Sequence, residues 1–225
     1  MKDFSLAEKA YSAIKKDILT CQLDPGSQIA QSQLVERYEF GITPVREALK
    51  LLEHEGYVHS IPRFGYVISP ITIKDIEDIY GVRHILETSS VRLSIQRASD
   101  EQLAQLQDMA TFTYIFKDRE TYLLFLEHNI KFHVAIAMTS GNRKLAEMLS
   151  SVLNEMTRIF NLGLDLKDSA QEMRHEHLAL ADALAARDLE HAVQIVTDQI
   201  NLSRQRVMEE MTLRLGQRAM SEIAL

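Results

Sequence analysis

Apolar positions recur along the chain with two different periods, and the pattern changes near residue 70. Over residues 7–19, Ala10, Ile14 and Ile18 fall on one side of a 3.6-residue repeat, which predicts an amphipathic helix. A shorter helix is predicted over residues 31–38, with Gln31 or Ser32 near its start. Thr43 followed by Pro44 predicts the cap and first turn of a third helix running to about Glu55, where Gly56 ends it. The period then becomes two. Residues 57–61 and 66–68 alternate like short strands, joined by Pro62-Arg63-Phe64-Gly65. Three helices followed by a hairpin predict a winged helix-turn-helix.

All four prolines (Pro25, Pro44, Pro62 and Pro70) lie in this first part. Beyond Ser69-Pro70-Ile71-Thr72 the pattern stays helical and predicts helices near 73–98, 100–117, 119–140, 142–162, 168–187 and 188–214. The expected fold is therefore mainly α. Residues 1–70 form a winged helix-turn-helix domain with a small β-wing, and residues 71–225 form an antiparallel all-α helical bundle.

Composition narrows the class. The chain has 225 residues, 46% hydrophobic and 25% charged, which excludes a mainly disordered chain. It has no apolar run long enough to span a membrane, and its N-terminus reads Met1-Lys2-Asp3 without the apolar core of a signal peptide. Cys21 is alone, which excludes an internal disulfide and a cysteine-based zinc cluster. A cytoplasmic protein is expected. Lys+Arg 25 against Asp+Glu 32 gives a net charge of −7. Residues 1–70 hold 8 basic and 9 acidic residues and so are nearly neutral. Charge alone does not announce nucleic-acid binding, although a local basic patch is compatible with it. The chain has no glycine-rich phosphate loop and no Ser or Cys nucleophile motif, which argues against an enzyme.

Polar residues interrupt several of the apolar helix stripes. Ile76, Ile79, Arg83, Leu86, Ser90 and Leu93 share one face. Tyr122, Phe125, Leu126, Asn129, His133, Ile136 and Ala137 share another. His177 lies among Met173, Leu180, Ala181 and Leu184, and Gln199 among Ala192, Ile195 and Val196. Buried polar groups need partners, so Arg83, Asn129, His133, His177 and Gln199 are expected to meet in one pocket. It is either a ligand pocket or a satisfied polar core network. The C-terminal apolar residues Met208, Met211, Leu213, Leu215 and Met220 are a mobile end or an added interface.

The N-terminal residues resemble the GntR family of bacterial transcription regulators. The resemblance runs through Asp24-Pro25-Gly26-Ser27-Gln28-Ile29, Leu34-Val35-Glu36, Thr43-Pro44-Val45-Arg46-Glu47-Ala48-Leu49, Leu52-Glu53-His54-Glu55-Gly56-Tyr57-Val58 and Pro62-Arg63-Phe64-Gly65-Tyr66-Val67. Residues 71–225 are similar to the FCD-type effector domain of the FadR subfamily. Val82-Arg83 with Leu86-Glu87, Phe132-His133, Ser140-Gly141-Asn142, and Glu176-His177 before Asp188 carry that likeness.

The resemblance implies a ligand-responsive DNA-binding regulator, more often a repressor. It also implies a homodimer that binds palindromic operator DNA and senses a small metabolite, often an organic acid. Thr43, Arg46, Arg63 and Gly65 are carried over as DNA-facing, with Ser32 as a further phosphate contact. Arg46, in the first turn of its helix, is placed to reach guanine in the major groove; alternatively it is a solvated charge paired along the helix. The family's Ser-Arg before Thr-Pro is Gly41-Ile42 here, which removes one donor per subunit. A winged-helix protein acting through protein contacts is therefore an alternative.

The family's bundle also commonly holds a divalent, zinc-like metal on an Asp and three His. Here His133 and His177 keep two of those positions, while Asn129 and Gln199 stand at the other two. Amides are weak ligands for such ions. The competing arrangement is a metal-free pocket in which these four side chains bond the ligand directly and Arg83 meets its carboxylate.

Overall fold

The computed structural model describes residues 4–164 and 167–223, and the chain falls into two compact units, 1–72 and 73–225. The first unit opens with α1 (Leu6–Leu19), started by a reciprocal cap. The Glu8 N–H donates to Ser5 Oγ at 3.2 Å, and the Ser5 N–H donates to Glu8 Oε2 at 2.7 Å. Strand β1 (Gln28–Ile29), α2 (Gln31–Tyr38), α3 (Ile42–His54), β2 (Val58–Ile61) and β3 (Gly65–Ile68) follow. The three strands form an antiparallel sheet in the order β1-β3-β2, with Ile61 opposite Gly65 across the hairpin. β1 has only two residues, too short for an alternating pattern, and the sequence reading missed it. Its pairing of Ile29 with Tyr66 covers the free edge of the wing.

Ala10, Ile14 and Ile18 of α1, Leu34 of α2, and Val45, Ala48, Leu49 and Leu52 of α3 form one core with Val58 and Ile68 of the sheet. That core fixes which face of α3 is left outside. α3 begins one residue before the expected cap. Gly41 is its N-cap, so Thr43 lies inside the first turn.

The second unit is all helical among its described residues: α4 (Ile73–Arg97), α5 (Asp100–Met109), α6 (Arg119–Thr139), α7 (Arg143–Glu155), α8 (Thr157–Leu164), α9 (Ala170–Ala185) and α10 (Leu189–Ile223). α4 packs against α10, α6 and α7, and α10 also packs against α8 and α9. Two boundaries differ from expectation. The helix expected over 100–117 stops at Met109, and Thr-Phe-Thr-Tyr-Ile-Phe continues as irregular chain. β-branched and aromatic residues are mediocre helix formers, and here they have other partners. The Phe112 ring lies 4.7 Å from that of His177, and the Tyr114 hydroxyl accepts from the Ser169 N–H at 3.1 Å.

The helix expected over 142–162 is two. Past Met156, α8 is buried along its whole length. Gly163 is what lets it approach α10, because a Cβ there would come within 3.1 Å of a Val207 methyl. Of the C-terminal apolar residues, Leu215 and Met220 lie outside the described side chains.

Candidate functional site

The outer face of α3 presents Thr43 and Arg46, both exposed, and Arg46 forms no ion pair among the described residues. α2 is tied to the start of α3 by Gln31, whose Nε2 donates to the Ile42 carbonyl at 2.9 Å. Ser32, in the first turn of α2, is exposed. Arg63 stands at the tip of the β2–β3 hairpin in the left-handed region, φ +70°, and its side chain is also exposed.

Gly65 has a structural requirement that its expected DNA-facing role did not include. Its φ is +98°, and a Cβ there would sit 2.7 Å from the Ile29 carbonyl oxygen. The residue is glycine because its φ is left-handed and the Ile29 carbonyl at the end of β1 lies against it, whatever the wing approaches.

In the second unit, Arg83, Asn129, His133, His177 and Gln199 line one small cavity between α4, α6, α9 and α10, of about 30 Å³. All five are buried. Glu87, one turn after Arg83, is the centre of their electrostatics. Arg83 Nε donates to Glu87 Oε1 at 2.5 Å, and His133 Nδ1 lies 2.7 Å from Glu87 Oε2. Burial pushes the Glu87 carboxyl up, but the Arg83 charge and then His133 outweigh it and hold the group at about 2. His177 is the reverse case. Burial, with the His133 ring beside it, lowers it to about 3, so it is neutral. His177 Nε2 lies 2.9 Å from Asn129 Oδ1, and because a carbonyl oxygen only accepts, that nitrogen carries the proton.

Arg83 Nη1 and both Gln199 Nε2 and Oε1 are buried without a hydrogen-bond partner among the described residues. Phe125, Phe160, Leu164, Met173 and Val207 supply the apolar wall, with the Arg83 guanidinium 5.1 Å from the Phe160 ring centroid. Glu176, Ser203 and Arg206 also line the cavity and were not anticipated. Ser203 and Arg206 follow Gln199 at helical spacing, and Glu87 follows Arg83 by four residues. Helical spacing from the two polar residues already identified was the available signal.

These residues do not fit a zinc-like ion. No three His, Cys, Asp or Glu side chains are grouped as ligands among the described residues. The Nε2 of His177 is committed to an amide oxygen, and the positions that would complete a shell are the neutral amides Asn129 and Gln199.

Comparison with known proteins gives two family matches. Residues 6–68 match the model described as bacterial regulatory proteins, gntR family, and residues 78–202 match the FCD domain. The HTH-type transcriptional regulator YdhC of Bacillus subtilis (strain 168) is 32% identical over 212 residues, covering 89% of this chain and 93% of its own. The HTH-type transcriptional repressor GlaR of Escherichia coli (strain K12) is 27% identical over 83% of this chain and 88% of its own. Among solved structures, E. coli McbR/YncC superposes with a TM-score of 0.60 at 22% identity, covering 93% of this chain and all of that one. A GntR regulator from Rhodococcus sp. RHA1 superposes with a TM-score of 0.64 at 20% identity, covering 90% and 97%. Both carry the same fold. Among the described residues no helix is long and apolar enough to cross a membrane.

Proposed function

The chain belongs to the gntR family of bacterial regulatory proteins and carries an FCD domain, and on that premise we propose that it is a metabolite-responsive repressor whose effector is an organic acid bound without a metal. It is a transcription regulator, not an enzyme, with a DNA-binding winged helix-turn-helix and a ligand-binding helical domain. In our reading it works in the bacterial cytoplasm as a homodimer on a palindromic operator. Thr43, Arg46 and Arg63 face the DNA, and Ser32 contacts a phosphate.

The observation that carries the effector reading is the set of unpaired atoms. A buried polar group without a partner costs about 1–3 kcal/mol. Gln199 leaves two such atoms and Arg83 a third, all on residues around one cavity. A carboxylate beside Arg83, with a hydroxyl that donates to Gln199 Oε1 and accepts from Gln199 Nε2, satisfies them together. Asn129 and His133 then hold the remaining polar edge of the ligand, and His177, bonded to Asn129, orients that amide. A cavity of about 30 Å³ holds little more than a water, so an organic acid enters only as the surrounding side chains move apart. Ligand binding therefore changes the conformation of the bundle, which is what coupling to operator affinity requires.

Fluorescence anisotropy tests both halves. DNA from around the protein's own gene, or selected from a random library, is titrated with wild type and Arg46→Ala. Tight, competitor-resistant binding by wild type that collapses in Arg46→Ala is expected. Organic acids are then screened for release of the DNA, with and without chelator, against wild type and Gln199→Met. The expected effector acts equally with chelator present and fails on Gln199→Met. That variant is expected to be about 1 kcal/mol more stable than wild type, because its unpaired amide is gone. Loss of the response on adding chelator, or an unchanged response in Gln199→Met, overturns the direct-binding reading.

A further inference from the structure

The first turn of α3 exposes an apolar side chain at a position that matters for base reading. Ile42 is the first helical residue and is 57% exposed. One turn on, and on the same side of the helix, stands Arg46, with exposed Thr43 beside them. The start of α3 is held in place by Gln31, whose side chain bonds the Ile42 carbonyl. The packing of Val45, Ala48, Leu49 and Leu52 into the core fixes the rotation of the helix. Ile42 is thus presented outward by a rigid frame.

A single exposed apolar residue is ordinary on a protein surface. Ile42, however, lies where the second helix of a helix-turn-helix meets base edges, at its N-terminal residues. Its side chain has no donor and no acceptor. The base-edge group in the major groove that an apolar side chain recognises is the 5-methyl of thymine. Ile is also stiff at χ1, so it offers its methyl groups with little entropy left to lose. We propose that Ile42 reads a thymine methyl group in each operator half-site, beside the base read by Arg46. The proposal rests on the DNA-facing placement of α3.

Operators selected from a random library by the full-length protein supply the probe. Each thymine is replaced in turn by deoxyuridine, which removes the methyl group and leaves the base pair intact. Binding is followed by fluorescence anisotropy for wild type and Ile42→Ala, with equal melting temperatures confirming that the variant is folded. One thymine per half-site is expected whose replacement weakens wild type about fourfold, the worth of one buried methyl group. The same replacement leaves Ile42→Ala unchanged. If no thymine behaves so, or if both proteins lose equally, the assignment is overturned. Arg46→Ala separates the two readings. Collapse of Arg46→Ala with silent deoxyuridine means that α3 reads DNA without Ile42, which overturns the assignment alone. Wild-type binding by Arg46→Ala removes the placement of α3 and this proposal together.

Discussion

His177 Nε2 donates to Asn129 Oδ1 at 2.9 Å across the interior of the bundle. The hydrogen bond joins two helices and commits the histidine nitrogen that faces Asn129. An aspartate in place of Asn129 would present a negative charge to the same nitrogen and draw it toward imidazolium or metal ligation. The amide does neither.

The first prediction follows from that hydrogen bond. Wild-type protein melts at the same temperature with chelator and with added zinc, nickel or manganese, and carries no stoichiometric metal by elemental analysis. Asn129→Asp combined with Gln199→His gains a metal-dependent rise in melting temperature. A metal-dependent rise in the wild type contradicts the direct-binding reading of the pocket.

Acid should unfold the helical unit in two overlapping ranges. His177 is held at about 3 against an ordinary value of 6.5, so the unfolded chain binds a proton that the native chain refuses. The stability associated with this histidine is complete above pH 6.5 and is lost as the pH falls from 6.5 toward 3. Glu87 is held at about 2 against 4.5, so its contribution is complete above about pH 4.5 and is lost as the pH falls toward 2. At pH 4, His177 alone lowers stability by about 3 kcal/mol relative to pH 7. Urea unfolding of wild type and His177→Gln at both pH values checks this, with a flatter dependence expected in the variant.

The Arg83–Glu87 pair should be costly to break from one side and cheaper to remove whole. Glu87→Gln leaves the Arg83 guanidinium buried without its charge partner and is expected to lose about 3 kcal/mol. Arg83→Met combined with Glu87→Met leaves no uncompensated charge and is expected to recover most of that loss, although His133 loses its carboxylate partner. Equilibrium urea unfolding of Arg83→Met, Glu87→Met and the double variant gives the coupling directly.

On the wing, two neighbouring residues should separate folding from DNA binding. Gly65→Ala must accept φ +98° and a Cβ at 2.7 Å from the Ile29 carbonyl oxygen, so it is expected to lower stability by about 2 kcal/mol or more. Arg63→Ala keeps the wild-type melting temperature, because its side chain is exposed. It weakens DNA binding, and the slope of log affinity against log salt falls by about one for each phosphate that the arginine neutralised.

The order of the elements was legible because their signals are local. Pro44 and Gly56 bracket α3, and the alternation after Tyr57 marks the hairpin. The five polar residues around the cavity were legible because each interrupts an apolar stripe. Glu87 entered only among the residues that carry the FCD likeness, since its place between Arg83 and His133 is set by the packing of α4 against α6. The end of α5 and the break at Met156 escaped because tertiary partners set them. Phe112 leaves the helix to pack on His177, and α8 turns to lie wholly inside. β1 depends on pairing with β3, which a two-residue segment cannot announce.

The helical unit is closed by its final long helix, since α10 lies along α4, the helix that opens the unit. The core of the first unit, by contrast, is complete between Ala10 and Ile68. Synthesis therefore finishes these parts at different times. The N-terminal unit has every core residue it needs while α4 is still waiting for its partner, with Tyr80, whose hydroxyl meets Ser203 of α10, still uncovered. Closing α4 against α10 spans more than a hundred residues, a slow step compared with the local packing of α1 to α3. A chain that stops before α10 carries a finished DNA reader with no closed sensor to govern it.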